Sequence, residues 1–221
     1  MKNILILTCS LLLGSQLVHA QILVGAKAGY NRYFTPGING GSISILAEVP
    51  QGDYLNASFR GSLFYDFPMK NRDMGTLSAN PGTNLPDDYV AIHSTYKNVG
   101  LGIEYLYYFV NDAFETGPYC SAKGGLSYST ISRQVDDFNT NNYTLQDYYL
   151  KNHSQVSLYL GASVGFQFSL GTNSLLFTEV NFGFPFIHIN GEVASTPTSK
   201  ISGYPQMMVS GSVGFKQSIF N

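Results

Sequence analysis

The sequence predicts an all-β protein, an eight-stranded antiparallel up-and-down transmembrane β-barrel. Alternation of apolar with small or polar residues, which has the period of two that strands show, recurs eight times along the chain. The connections between these segments are alternately short and long. Only 12% of the residues are charged, about half the roughly 25% of an ordinary soluble domain. A surface with so little charge indicates a surrounding solvent other than water.

The first twenty residues have the pattern of a secretory signal peptide. Lys2 is followed by an apolar stretch from Ile4 to Leu13, and the segment ends at Ala20. This stretch is shorter than the roughly 20 residues of a membrane-spanning helix, and no other apolar segment approaches that length. We therefore expect residues 1–20 to be a cleaved signal peptide and residues 21–221 to form one outer-membrane β-barrel domain.

The cysteine positions and the net charge argue against several classes of protein. Acylation of Cys9 would make a lipoprotein, but Thr8 stands where lipoproteins prefer a small residue. Cleavage after Ala20 removes Cys9 and leaves Cys120, so no internal disulfide is expected. The formal net charge of −2 argues against a nucleic-acid partner.

The eight alternating segments and their connections define the predicted topology. The predicted strands are 22–33, 41–49, 53–67, 97–109, 114–131, 153–169, 174–189 and 204–219. The connections after the second, fourth and sixth strands are short and rich in turn-forming residues. Those after the third, fifth and seventh are long and polar. Short turns at one end and long loops at the other are typical of transmembrane barrels, with the turns periplasmic and the loops extracellular.

The two faces of the predicted strands have different compositions. One face is apolar in nearly every strand, as in Ile43, Ile45 and Ala47, and we assign it to lipid. The opposite face consists mostly of Gly, Ser and Asn and carries eight charged residues. These are Lys27, Glu48, Arg60, Glu104, Glu115, Lys123, Glu179 and Lys216. Side chains fill the interior of an eight-stranded barrel, so these charges are expected to pair there in an ion-pair network.

The alternative fold is a soluble, lipocalin-like barrel with the apolar face inside around a ligand. Soluble surfaces are roughly 25 to 35% charged, and the polar face of these strands has far fewer charges and many glycines. Glycine weakens an exposed strand but fits a crowded barrel interior. The composition therefore favours the transmembrane barrel.

Three features of the chain resemble a known family. They are the opening strand Val24-Gly25-Ala26-Lys27-Ala28-Gly29-Tyr30, the start of the exported chain at Gln21, and the strands rich in glycine and aromatic residues. The chain is similar to small outer-membrane β-barrel proteins of the PorT-like and OmpA/OmpX-like kind. This resemblance implies an integral outer-membrane protein that the barrel-assembly machinery inserts among membrane lipids. Two features depart from the family pattern: the chain ends in Asn221 instead of an aromatic residue, and Pro118 and Pro185 fall within predicted strands.

Candidate chemistry is sparse. A lipid-modifying enzyme at the barrel rim would use His93 or His153 as a base beside a serine nucleophile. Each of these histidines is followed directly by a serine, and adjacent strand residues point to opposite faces, so neither pair lies on one face. These two histidines and His188 lie near the predicted extracellular ends without a metal-binding spacing. We expect the three histidines to be ordinary rim residues, and we expect the protein to bind no cofactor and no metal.

The interior charges allow two further functions. Charged rings select ions in wide pores, so a narrow channel is one alternative, although eight strands favour a packed interior. Glu104 and Glu179 could act as an acid and base pair, but nearby cations favour salt bridges. The preferred hypothesis is a non-enzymatic barrel with a structural, assembly or adhesion role, whose long loops contact an extracellular or envelope protein.

Overall fold

The computed structural model describes residues 21–34, 37–51, 56–145, 153–189 and 207–219. The predicted signal peptide, residues 1–20, lies outside this part of the chain. So do residues 146–152 and 190–203 of the predicted long loops, and residues 53–55 and 204–206 of the predicted third and eighth strands. Within the described residues, no helix has the length and hydropathy needed to cross a membrane. The regular structure described is antiparallel β-sheet.

Nine strands are described, and eight of them close into a ring. The strands are β1 (Leu23–Tyr33), β2 (Ile38–Gln51), β3 (Ala57–Ala79), β4 (Asp88–Tyr108), β5 (Gly117–Val135), β6 (Tyr143–Leu145), β7 (His153–Ser169), β8 (Ser174–Ile189) and β9 (Met208–Ser218). Each ring strand pairs with its neighbours in chain order, and β9 pairs with β1 to close the barrel. The predicted eight-stranded antiparallel barrel is confirmed.

The structure corrects the predicted loop between the third and fourth strands. This segment was expected to be a long polar loop from Pro68 into the nineties, but β3 continues to Ala79 and β4 begins at Asp88. The two strands stay paired from Met69 with Tyr96 to Leu77 with Asp88. The short strand β6 adds to the outer part of β3. We call this extension, residues 69–96 with β6, the arm.

The two ends of the barrel differ, because the arm extends from only one of them. The connections after β4 and β7 are short, and we call this side the turn end; the arm marks the loop end. At the turn end, the connection from β4 to β5 folds across the opening and buries Ala113 completely. Gln167 Nε2 holds it there by donating hydrogen bonds to the backbone oxygens of Ala113 (2.8 Å) and Glu115 (2.7 Å).

The two prolines within strands have different effects. Pro118 pairs with Phe166 in the ladder of β5 and β7 without a shift in register. Near Pro185, the ladder of β7 and β8 shifts, because Leu158 pairs with Ile187 while Tyr159 pairs with Pro185. One residue of β8 is therefore extra, which is the definition of a β-bulge.

The outer surface of the ring is a predominantly apolar band. Large apolar side chains in the middle of the wall are exposed to between 44% and 68%, with Leu63 at the lower value and Ile103 at the upper one. Along β4 and the residue that follows it, the band runs from Val99 to Phe109, or about 33 Å at roughly 3.3 Å per residue. A strand tilt of about 40° reduces this to about 25 Å, the height of the apolar band on transmembrane barrels. Arg32 and Lys97, charged residues on the outer face of the described strands β1 and β4, lie at the loop end.

Glycines on the inner face make room for large side chains. A Cβ atom on Gly125 would meet the carbonyl oxygen of Leu101 and would come within 2.7 Å of Tyr159 Oη. Gly102 faces the same hydroxyl. Tyr159 packs edge-on against Phe64, with ring centroids 5.8 Å apart. The two glycines therefore let an aromatic ring cross the barrel interior.

Candidate functional site

The predicted interior charges form a belt across neighbouring strands. Glu48 of β2 lies directly opposite Arg60 of β3, Arg60 opposite Glu104 of β4, and Glu104 opposite Lys123 of β5. Opposite charges that face each other across a ladder attract. The register of these three ladders thus aligns the four charged side chains in one row across β2, β3, β4 and β5.

Arg60 is the centre of this belt. Its side chain has no solvent exposure, and its Nε lies 3.1 Å from Glu48 Oε2. Its Nη1 lies 3.4 Å from Glu104 Oε2 and also contacts Glu179 Oε1. The guanidinium stacks near the ring of Phe177, with 5.1 Å between Cζ and the ring centroid. One cation therefore joins three carboxylates from three strands.

Two lysines complete the pairing. Lys216 Nζ lies 3.0 Å from both oxygens of Glu48 and 2.9 Å from the hydroxyl of Tyr108, which itself donates to Glu48. Lys27 Nζ lies 2.8 Å from Glu179 Oε2 and 3.7 Å from a Glu104 oxygen. Removing one member of such a buried network leaves an uncompensated charge, which costs several kcal/mol.

Two of the eight predicted residues make no described ion pair in the belt. Glu115 was expected in a strand facing the interior, but β5 begins only at Gly117, and Glu115 lies exposed in the turn. Lys123 faces the interior, and its Nζ donates to Asn181 Oδ1 at 2.7 Å. No carboxylate of the described residues lies within 4.0 Å of this ammonium.

Apolar side chains close the interior below the belt, at the turn end. This floor, as we call it, packs bulky residues from several strands with the β4–β5 turn. Its buried members are Leu46, Leu106, Tyr108, Ala113, Tyr119 and Phe177. Tyr119 also donates a 3.0 Å hydrogen bond to Glu179, which links the floor to the belt. Together the floor and the belt fill the cross-section of the barrel.

A cavity of about 120 Å³ lies above the belt, toward the loop end. Serine and asparagine account for 11 of its 24 lining residues, and Tyr33, Phe64, Tyr159 and Phe184 supply aromatic surfaces. The charged groups that line it are Lys27, Glu104, Lys123 and Asp66. The barrel is thus packed in its turn half and hollow in its loop half.

A second buried polar cluster surrounds Asp66 near the loop end. Its carboxylate accepts hydrogen bonds from Asn31 Nδ2 (2.7 Å), Asn98 Nδ2 (2.8 Å) and the hydroxyl of Tyr33. Asp66 is not among the eight interior charges that the sequence predicted. Its position, six residues after Arg60 on the same strand and therefore on the same face, is the signal that could have found it.

The predicted rim histidines do not form a described site. His93 Nε2 lies 3.2 Å from Asp136 Oδ1 on the arm, and both side chains are about half exposed. His153 and His188 belong to β7 and β8, but their side chains lie outside the described residues. No group of three or more His, Cys, Asp or Glu side chains in the described chain is arranged to hold a metal ion.

The arm has one packed face and one open face. Its packed face is a small apolar cluster that includes Leu77, Val90, Ile92 and Leu145. The open face carries side chains that are more than half exposed, including Met74 and Tyr89. From Met69 to Ala79 the strand extends about 33 Å at roughly 3.3 Å per residue. The arm is therefore a folded element with its own core.

These features define a class of structure: a small, closed antiparallel barrel with an apolar outside and an ion-paired polar inside. No protein-family model and no curated protein matches the chain. Among solved structures it is similar to Neisserial surface protein A, with a TM-score of 0.56 and 14% identity, over 90% of this chain and 97% of that one. It is also similar to a major outer membrane protein from Thermus thermophilus, with a TM-score of 0.53 and 15% identity, over 90% and 98% of the two chains. At these identities the likeness establishes the fold.

Proposed function

We propose that the protein is an integral outer-membrane β-barrel with a structural, assembly or adhesion role. The apolar outer band supports this proposal most strongly, because side chains such as Ile103 cover the wall where water would favour charge. Two similar structures are outer-membrane or surface proteins by name. The turn end would then face the periplasm and the arm would face the exterior. Residues 1–20 would be removed during export, and the barrel-assembly machinery would insert the rest.

The proposed role is non-enzymatic. Glu104 and Glu179, the interior carboxylates that could act as acid and base, are both held by Arg60 and Lys27. The floor and the belt fill the cross-section, which supports a closed barrel over a channel. A conducting pore in planar bilayers would contradict the closed barrel, and an altered lipid profile after deletion of the gene would contradict the non-enzymatic role.

The arm is the proposed contact element for an extracellular or envelope protein. It lies beyond the apolar band, has its own apolar cluster and presents an open face with exposed Met74 and Tyr89. Such a preformed surface binds without the entropic cost of ordering a flexible loop.

Replacement of the arm tests this role. Lys70 and Thr95 face each other across the ladder, so an Asn-Gly turn in place of residues 71–94 would close the hairpin at that pair. The shortened protein should still sediment with outer membranes after alkaline washing, while cell attachment or co-purification of partner proteins is lost. Failure of the shortened protein to insert, or unchanged attachment and co-purification, would contradict the proposed role. A Met74→Ser variant is a milder control, because it changes one exposed side chain on the open face of the arm and leaves the arm at full length.

A further inference from the structure

The belt contains one more positive than negative charge among the described residues. Its cations are Lys27, Arg60, Lys123 and Lys216, and its carboxylates are Glu48, Glu104 and Glu179. The eighth predicted member, Glu115, would have balanced the count, but it lies exposed in the turn. The belt therefore has a net charge of +1.

The excess charge is located at Lys123. Arg60, Lys27 and Lys216 each lie within 4.0 Å of a carboxylate, whereas the described contact of Lys123 Nζ is the neutral amide oxygen of Asn181, at 2.7 Å. An ammonium group has three hydrogens to donate. One amide oxygen uses one of them, which leaves Lys123 with donor capacity and charge.

Lys123 lines the cavity together with Lys27, whose side chain is 12% exposed. Serine hydroxyls line the same space, and hydroxyls donate to anions readily. Two carboxylates also line the cavity. Glu104 is paired with Lys27 and Arg60 in the belt, and Asp66, at the loop end, already accepts three hydrogen bonds. Asp66 lies opposite Asn98 of β4. Asn98 and Glu104 are six residues apart on that strand, or about 20 Å at roughly 3.3 Å per residue. Repulsion from Asp66 at the belt is correspondingly weak.

We propose that the cavity is a binding site for a small oxyanion, with Lys123 as its principal cation and Lys27 and nearby serines as further donors. The volume of about 120 Å³ limits the ligand to a few heavy atoms, because a cavity of about 150 Å³ holds one benzene molecule. A phosphate ion or a short carboxylate fits this limit. The site is distinct from the arm, so the barrel would carry a small-molecule function beside its surface role.

The test measures binding of inorganic phosphate and of acetate by calorimetry at constant ionic strength, with the full chain folded in detergent micelles. We expect the unaltered protein to bind at least one of the two anions, and the more tightly bound anion identifies the ligand chemistry. Lys123→Gln should weaken that binding at least tenfold. Lys97→Gln, which removes the same charge from the outer face at the loop end, should leave it unchanged.

A second variant keeps the test informative if Lys123→Gln folds poorly. Asn181→Asp places a carboxylate beside Lys123 with little change in volume, so it neutralises the excess charge without removing the lysine. It should also weaken binding at least tenfold. An unaltered protein that binds neither anion, or equal binding by the Lys123 and Lys97 variants, would overturn the proposal.

Discussion

Replacement of Arg60 by methionine tests the ion-pair belt. The substitution removes the cation that Glu48, Glu104 and Glu179 share, while a long apolar side chain still fills the space. Glu48 keeps Lys216 at 3.0 Å, and Glu179 keeps Lys27 at 2.8 Å. Glu104 loses most, because its remaining cation within 4.0 Å in the described chain is Lys27, at 3.7 Å.

The expected loss follows from this geometry. Breaking a buried ion pair by removing one partner costs about 3–5 kcal/mol, and Arg60→Met leaves one carboxylate with a single distant partner. The double variant Arg60→Met with Glu104→Gln removes that charge and should regain about 1–2 kcal/mol, within the range of coupling between neighbouring groups. Lys123→Met should change stability by less than about 1 kcal/mol, because its lost hydrogen bond is offset by removal of a poorly compensated ammonium.

The assay is urea unfolding in detergent micelles, with folded and unfolded fractions separated by gel mobility. Gel mobility is suitable because the chain contains no tryptophan for fluorescence. An Arg60→Met variant within about 1 kcal/mol of the unaltered protein would refute a stabilising belt. Equal losses for Arg60→Met and Lys123→Met would refute the assignment of the excess charge to Lys123.

Two further predictions concern the outer wall and the interior glycines. Ile103→Lys places a charge in the middle of the apolar band and should destabilise the inserted barrel by about 2–4 kcal/mol in vesicle unfolding. The control Tyr89→Lys, on the exposed arm, should cost less than about 0.5 kcal/mol. Equal losses for the two variants would argue against a lipid-facing wall. Gly125→Val should lower the stability of the barrel by about 1–3 kcal/mol, because the valine side chain would collide with the Leu101 carbonyl and Tyr159. The control Gly61→Val, on the open outer face, should lack this penalty. Similar stabilities of the two variants in urea would contradict the inner packing.

Much of the fold could be predicted from the sequence because the period of two is strong. The predicted strands 153–169 and 174–189 coincide with β7 and β8, where alternation from Val156 to Phe168 and from Val180 to Phe184 flanks the tight turn at Gly171. The arm was missed for the opposite reason. Its strands carry polar side chains on both faces, such as Lys70 and Asn71, so they lack the stripe that marks a buried strand.

The interior could be predicted in part. Alternation placed Arg60 and Glu104 on one face, but it does not show where a strand begins, and Glu115 lies two residues before β5. The Asp66 cluster depends on the register of other strands, which brings Asn31 and Asn98 to the same carboxylate. Register comes from turns and packing across the whole barrel, and one sequence does not display it.

The most direct test of the central claim, a closed barrel in a membrane, is heat-modifiable gel mobility of the protein in purified outer membranes. Samples are compared with and without boiling, because a compact barrel that resists detergent runs faster until heat unfolds it. A faster band in the unboiled outer-membrane sample is the predicted result. A soluble periplasmic protein with no mobility shift would contradict the account and would favour the lipocalin-like barrel.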